Sequence, residues 1–267
     1  MGGSSLASDA VPAWWDDPAD GCTNMAADEA LAAEAGRRGG LVVRFYGWLP
    51  ASVSLGAFQP IAAAREARDL AGVPLVRRPS GGGAIVHGSD LTYAAAVPQR
   101  HPWARTPQAL YDALHAALVE ELRARGVAAR PHRGTGGRDD RAGRLLCFDR
   151  RAEGDVVATP PGRAASADDP KILGSAQRRL AGVVLQHGSL LLRASTAVGP
   201  TARHVGLADL HPEVAGDPRQ LAAAWLARLA SGSGLAVAWQ PEGFLAGREV
   251  AIAAGRDRFR DDRWTER

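Results

Sequence analysis

Three consecutive glycines, Gly81, Gly82 and Gly83, stand between the strand-like run VPLVRRP (73–79) and a second apolar run that begins at Ala84. Without a Cβ, the backbone there adopts conformations closed to other residues and lets a neighbouring group come close. Arg77 and Arg78 just ahead add charge, so the amides of such a loop are free to meet a carboxylate or a phosphate. A glycine-rich hairpin with no ligand fits the same residues. Two familiar nucleotide loops are excluded, because no Gly-Lys-Ser/Thr follows and the GxGxxG spacing is absent.

Composition narrows the class. A chain of 267 residues with 46% apolar and 23% charged side chains can bury one sizeable core or two unequal lobes, and general disorder is excluded. No uninterrupted apolar run is long enough for a membrane span, and MGGSSLASDAVPAWW lacks the basic and apolar regions of a secretory leader, so a cytoplasmic protein without membrane contact is expected. The net charge is only +3 with no basic cluster interleaved with aromatics, which argues against nucleic acid. Cys22 and Cys147 form no CxxC pair, so neither a metal site nor a disulfide is expected. Of the 32 basic residues all but Lys171 are arginine. A buried lysine, unlike arginine, can shift its pKa and act as a compact charge beside a nucleophile.

Along the chain, a loose segment over 1–20 ends in a strand at Ala13 to Trp15. TNMAADEALAAEAGRRGG reads as a helix with Thr23 or Asn24 as N-cap, Asp28 and Glu29 in its first turn and Gly39 as terminator. Strand-like runs follow at 41–47, 52–56 and 73–79, with a short helix from Ala62 to Leu70. Leu110, Leu114, Leu118 and Leu122 recur four apart and predict a helix over 106–126. Residues 131–144 and 159–170 read as mobile loops, and strands return at 154–158, 171–179 and 182–192. From Pro200 onward only helices are expected, at 218–232 and 244–259. The order is α+β, with a mixed sheet flanked by helices, a core over 21–200 and a C-terminal helical part over 201–267.

Residues able to carry chemistry cluster late. If 171–177 is extended, Lys171 and Leu173 share one face and Ile172 and Gly174 the other, so Lys171 can point into a pocket with Gly174, Ser175 and Ala176 leaving room beside it. His187, followed by Gly188 and Ser189, reads first as a satisfied core histidine. His115 beside the leucine stripe reads as an ordinary helix residue. Cys147 lies among Arg144, Arg150 and Arg151, a setting that favours thiolate. Cys22 sits at a helix mouth, where the dipole lowers a thiol pKa, but packing at a corner explains it as well.

Four stretches, TNMAADEAL (23–31), RRPSGGGAIVHGSDLTY (77–93), KILGSAQRR with LQHGSLLL (171–192) and RFRDDRW (258–264), together resemble the lipoate-protein ligases and octanoyltransferases, relatives in fold of biotin protein ligases. The resemblance implies a biotin/lipoate protein ligase-like, class II synthetase-like catalytic domain. It implies an acyl or lipoyl site built from Arg77, Arg78, Ser80, Gly81, Gly82, Gly83, His87, Gly174, Ser175, Ala176, His187 and Gly188. It also implies that Lys171 reaches the reacting carbonyl.

The CFD triplet at Cys147, ahead of KILGSAQ, resembles that of octanoyltransferases that form a thioester on cysteine. By that resemblance Cys147 accepts octanoyl from octanoyl-acyl carrier protein, Lys171 favours its thiolate, and the acceptor is a lysine of a lipoyl-domain or glycine cleavage H-type protein. No cofactor is then required. Three alternatives stay open: an octanoyl amidotransferase between lipoyl-carrying proteins, a ligase using ATP and Mg with Lys171 on lipoyl-adenylate, and a non-catalytic lipoate or lipoyl-domain binding protein. The stretch 159–170 lengthens the usual spacing between Cys147 and Lys171, so they meet only if it is a hairpin loop that leaves the strand register intact.

Overall fold

The computed structural model describes residues 10–106, 108–134, 145–214 and 216–266. The expected loose start over 1–9, most of the loop expected at 131–144, and Arg144 therefore lie outside the described residues. Strand β1 (Ala10–Trp15) begins at Ala10 rather than Ala13. Helix α1 (Gly21–Arg38) is capped by Asp20, whose carboxylate accepts from the amides of Cys22 and Thr23, and not by Thr23 or Asn24. The earlier start carries Asp28 out of the first turn and into the interior. Gly39 ends the helix at φ 79°, as the sequence indicates.

Next come β2 (Val42–Tyr46), β3 (Val53–Leu55), α2 (Ile61–Glu66) with a 3-10 turn at Arg68–Leu70, β4 (Leu75–Arg77), β5 (Ile85–Val86) and β6 (Asp90–Pro98). Helix α3 (Ala109–Ala124), β7 (Ala129–Pro131), a 3-10 turn at Cys147–Asp149, β8 (Val156–Ala158), β9 (Lys171–Leu180) and β10 (Val183–Leu191) complete the middle. The last part holds α4 (Leu207–Leu210), α5 (Pro218–Ser231), β11 (Ala236–Trp239), α6 (Glu249–Arg260) and α7 (Asp262–Thr265).

The larger sheet runs β11-β1-β2-β6-β10-β9-β8-β7. It is mixed: β1 pairs parallel with β11 and β2, and the remaining pairs are antiparallel. Its two faces follow the alternation of β6, where Leu91, Tyr93, Ala95 and Val97 face α3 and α5 while Ala94 and Ala96 face α1 and α6. The four leucines of α3 are buried, each contributing about 1.5–3 kcal/mol over exposure. The smaller sheet, β4-β3-β5, packs on Leu70, Leu146, Val198 and Ala202. Among the described residues, no helix is long and apolar enough to cross a membrane.

The C-terminal part is not purely helical. AVAW forms β11 and adds to the edge of β1, while α6 packs along α1. Four residues make too short a pattern to read as a strand without the distant edge that pairs with it.

Candidate active site

Beyond the N-terminal part of α1, the smaller sheet covers the same face of the larger one, and a narrow, solvent-open pocket lies between them. Met25, Tyr46, Trp48 and Ile85 supply apolar walls, and Cys147 stands at the pocket with Gly174, Ser175, Ala176, His187 and Gly188.

The glycine loop is shaped by the cysteine-bearing segment. A Cβ at Gly83 would lie 2.9 Å from the backbone nitrogen and Cα of Cys147, and the Cys147 amide donates to the Ala84 carbonyl at 2.7 Å. At Gly82 φ is +96°, and its carbonyl sits where a Cβ on Gly56 would be. Arg78 ties the loop down by donating to the carbonyls of Gly81, Gly83 and Ser54 at 2.7–2.8 Å. Its Nε has no hydrogen-bond partner among the described residues. Burial pulls this guanidinium down to about 10, opposed by the charge of Cys147. Arg77 goes elsewhere: it donates to the carbonyls of Gly56, Gln59 and Thr265, accepts on its own carbonyl from Trp264, and does not line the pocket. The paired arginines thus divide, one anchoring the loop and one holding the C-terminal RFRDDRW stretch.

Lys171 reaches the cysteine by a route that the alternation rule misses. Between β8 and β9 the register shifts, with Val156 opposite Leu173 but Val157 opposite Lys171. The bulge puts one extra residue, Ile172, into β9 and turns Lys171 onto the face of Gly174, not that of Leu173. A Cβ at Gly174 would meet Lys171 Cε at 2.5 Å, so the glycine provides the channel for the lysine stem. The ammonium comes 3.4 Å from Cys147 Sγ and 2.8 Å from Asp155 Oδ2, with the carbonyls of Cys147 and Arg150 at 3.5 Å. Burial works against its charge, but Cys147 and Asp155 hold its pKa above the ordinary lysine value. The stretch 159–170 is a hairpin loop, gathered on Asp169 by Thr159, Ser166 and Arg130, so the longer spacing does not separate the pair.

Two polar chains support the pocket. Asp28, buried beneath it, accepts from Arg44, Tyr46 and His187, each at 2.9 Å, and His187 meets Ser80 with its other nitrogen. His87 stacks on Trp48 at 3.8 Å and bridges Ser54 and Asp90. Burial opposes the Asp90 charge, yet His87, Thr92 and Ser189 hold its pKa below the usual carboxylate value. His187 is satisfied, as a core histidine should be, and also lines the pocket.

His115 departs from its bland sequence reading. Its Nδ1 faces the Gly154 carbonyl at 2.8 Å and its Nε2 meets Ser175 Oγ at 2.7 Å, while Tyr93 contacts the same hydroxyl at 2.8 Å. Burial pushes His115 down to about 4, so it is neutral at pH 7. Asp155 is the group that sequence reading missed. Its signal was present, because a lone buried lysine needs a carboxylate and GDVVA carries one at its head. Cys22 behaves opposite to the dipole expectation: burial, with Asp20 beside it, raises its pKa.

The described residues contain no group of three or more His, Cys, Asp or Glu side chains placed to hold a metal. A structure of the bipartite lipoate protein ligase and its E2 lipoyl domain from Thermoplasma acidophilum superposes with a TM-score of 0.68 over 97% of this chain and 96% of that one, at 20% identity. That likeness establishes a shared fold. The model of the lipoyl protein ligase A/B catalytic domain matches residues 20–204, and the chain belongs to that family. Within it, the chain is similar to octanoyltransferase LipM of Macrococcus caseolyticus, 36% identical over 63% of this chain and 60% of the relative. LipM of Geobacillus kaustophilus is 38% identical over the same shares. The matches thus span about 60% of the length of these curated relatives.

Proposed function

We propose that this protein is an octanoyltransferase of lipoate synthesis, carrying octanoyl from octanoyl-acyl carrier protein through a Cys147 thioester to a lysine of a lipoyl-domain or H-type protein. The observation that carries this reading is the Lys171 ammonium 3.4 Å from the Cys147 sulfur at the wall of a pocket with apolar lining. The octanoyltransferases at 36–38% identity support it.

The chemistry follows from the groups in place. The Cys147 sulfur attacks the thioester carbonyl of the donor, and the carrier leaves as its thiolate. A neutral lysine amine of the acceptor then attacks the Cys147 thioester, Cys147 leaves as thiolate, and the surplus proton of the amine ends on the carrier thiol. Lys171 places positive charge beside the sulfur in both halves. Arg78, whose charge couples to that of Cys147, adds a second cation. One thioester replaces another at little cost and the amide is far more stable, so no ATP is consumed. The apolar wall of Met25, Tyr46, Trp48 and Ile85 suits the alkyl chain, each buried methylene contributing roughly 0.8 kcal/mol.

The test is the intact mass of the protein after mixing with octanoyl-acyl carrier protein without ATP, followed by peptide mapping and hydroxylamine. A hydroxylamine-labile octanoyl group on Cys147 is expected, lost in Cys147→Ala and slowed in Lys171→Arg, whose planar fork does not fit the channel beside Gly174. No adduct, with lipoyl-adenylate formed once lipoate and ATP are supplied, would make the protein a ligase. Binding of lipoate with no transfer from any donor would make it a binding protein.

A further inference from the structure

The surroundings of Lys171 Nζ are unusually one-sided. Among the described residues, Asp155, the Cys147 carbonyl and the Arg150 carbonyl offer only acceptors, the Cys147 sulfur lies at 3.4 Å, and the Phe148 ring lies 5.3 Å away. An ammonium has three donors and no acceptor, so it fits this shell; a neutral amine would turn its lone pair toward an acceptor. Asp155 is itself immobilised. Its Oδ1 accepts from the Tyr111 hydroxyl at 2.8 Å, and its Oδ2 accepts from the Ala152 amide at 2.7 Å as well as from Lys171.

We propose that Asp155 is the positioning residue that keeps Lys171 a fixed ammonium at the Cys147 sulfur, so that Lys171 serves as an immobile counter-charge through both half-reactions and never as the base. The proposal rests on Cys147 as the acyl acceptor. The titratable groups facing this cluster are Cys147 from its 3-10 turn, Tyr111 and His115 from α3, Tyr93 from β6, and Arg78 from the segment after β4. Tyr111 stays protonated, since burial and the Asp155 charge both raise it, and His115 is neutral. The countercharge that opposes the burial penalty on Lys171, besides the sulfur itself, is therefore Asp155.

Without Asp155, the ammonium loses its carboxylate partner, and its proton is free to pass to the sulfur beside it, leaving a neutral amine and a thiol. The experiment follows the ultraviolet thiolate absorbance of Cys147 against pH, as the difference from Cys147→Ala so that Cys22 cancels. Acylation kinetics are measured alongside. Asp155→Asn is expected to lower the neutral-pH thiolate signal and kcat by about tenfold or more, the factor set by a single pKa step, with KM for the donor unchanged. Asp155→Glu restores both. In a Lys171→Met background, adding Asp155→Asn costs nothing further, because Asp155 acts through the lysine. That double variant leaves no unpaired buried ion, so the comparison survives even if Asp155→Asn alone does not fold.

A wild-type thiolate titration in Asp155→Asn, or an equal loss with and without Lys171, would overturn the proposal. A thiolate that depends on Asp155 in a protein that never takes up octanoyl would instead overturn the acyl-transfer reading and leave the Asp155 assignment standing.

Discussion

At Gly174 a methyl group would sit 2.5 Å from Lys171 Cε and 2.7 Å from its Nζ, both at the far end of a flexible side chain. At Gly83 it would sit 2.9 Å from Cys147 backbone atoms, which cannot swing aside. The two glycines therefore fail differently on substitution. Gly174→Ala is expected to displace the lysine from Asp155 and Cys147, so that the rate of Cys147 acylation falls about tenfold or more at temperatures where the variant is still fully folded. Gly83→Ala is expected to cost about 1–3 kcal/mol by overpacking against backbone, seen as a lower urea midpoint. A wild-type acylation rate in folded Gly174→Ala would refute the channel role. Cys147, Lys171 and both glycines were legible in the sequence, because their residue types are chemically distinctive. For Asp155 the sequence signals only that Lys171 needs a carboxylate, and the role of Asp28 is not visible at all, since an acid's partners depend on which distant strands come together.

Between elements, the contact that joins α3 to β9 runs through a neutral histidine. His115 is held down to about 4, so acid protonates the unfolded chain first and the folded form only later. Stability is therefore lost as pH falls from about 6.5 to about 4, by roughly 3 kcal/mol from this residue. His115→Gln has the amide donor and acceptor to replace both hydrogen bonds without titrating. Urea midpoints near neutral pH and near pH 4 should show a smaller acid loss in the variant, and an equal loss would refute the assignment. Asp90 and other carboxylates lose their contribution in acid in both proteins, so only the difference isolates His115. The leucine stripe announced α3 and its buried face. It gave no warning about His115, because helical periodicity shows which side faces the core but not which polar group waits there. The bulge at Ile172 escaped strict alternation for a similar reason: an extra residue in a strand is visible only against its partner's register.

At the scale of the molecule, the two ends of the chain complete one sheet and one helical layer. β11 extends the edge of β1, Phe244 packs edge-on to Trp14 at 5.1 Å, and Thr265 accepts from Arg77. A chain ending at Gly232 would lose all three and uncover the side of α1 that α6 covers, where Ala26 lies against Gly255. Calorimetry of that truncation should show no cooperative transition, and a sharp one near the full-length temperature would show that the last segment is dispensable. The sequence by itself determined the α+β class and most strand and helix positions, and it singled out the cysteine, lysine and glycine loop that the candidate site brings together, because periodicity and residue chemistry are local. Only the tertiary structure decided the sheet order, the division of labour between Arg77 and Arg78, the facing of Lys171, and the Asp155 and His115 partnerships. Each of these depends on contacts between segments far apart in the chain, whose register follows from packing the whole core at once.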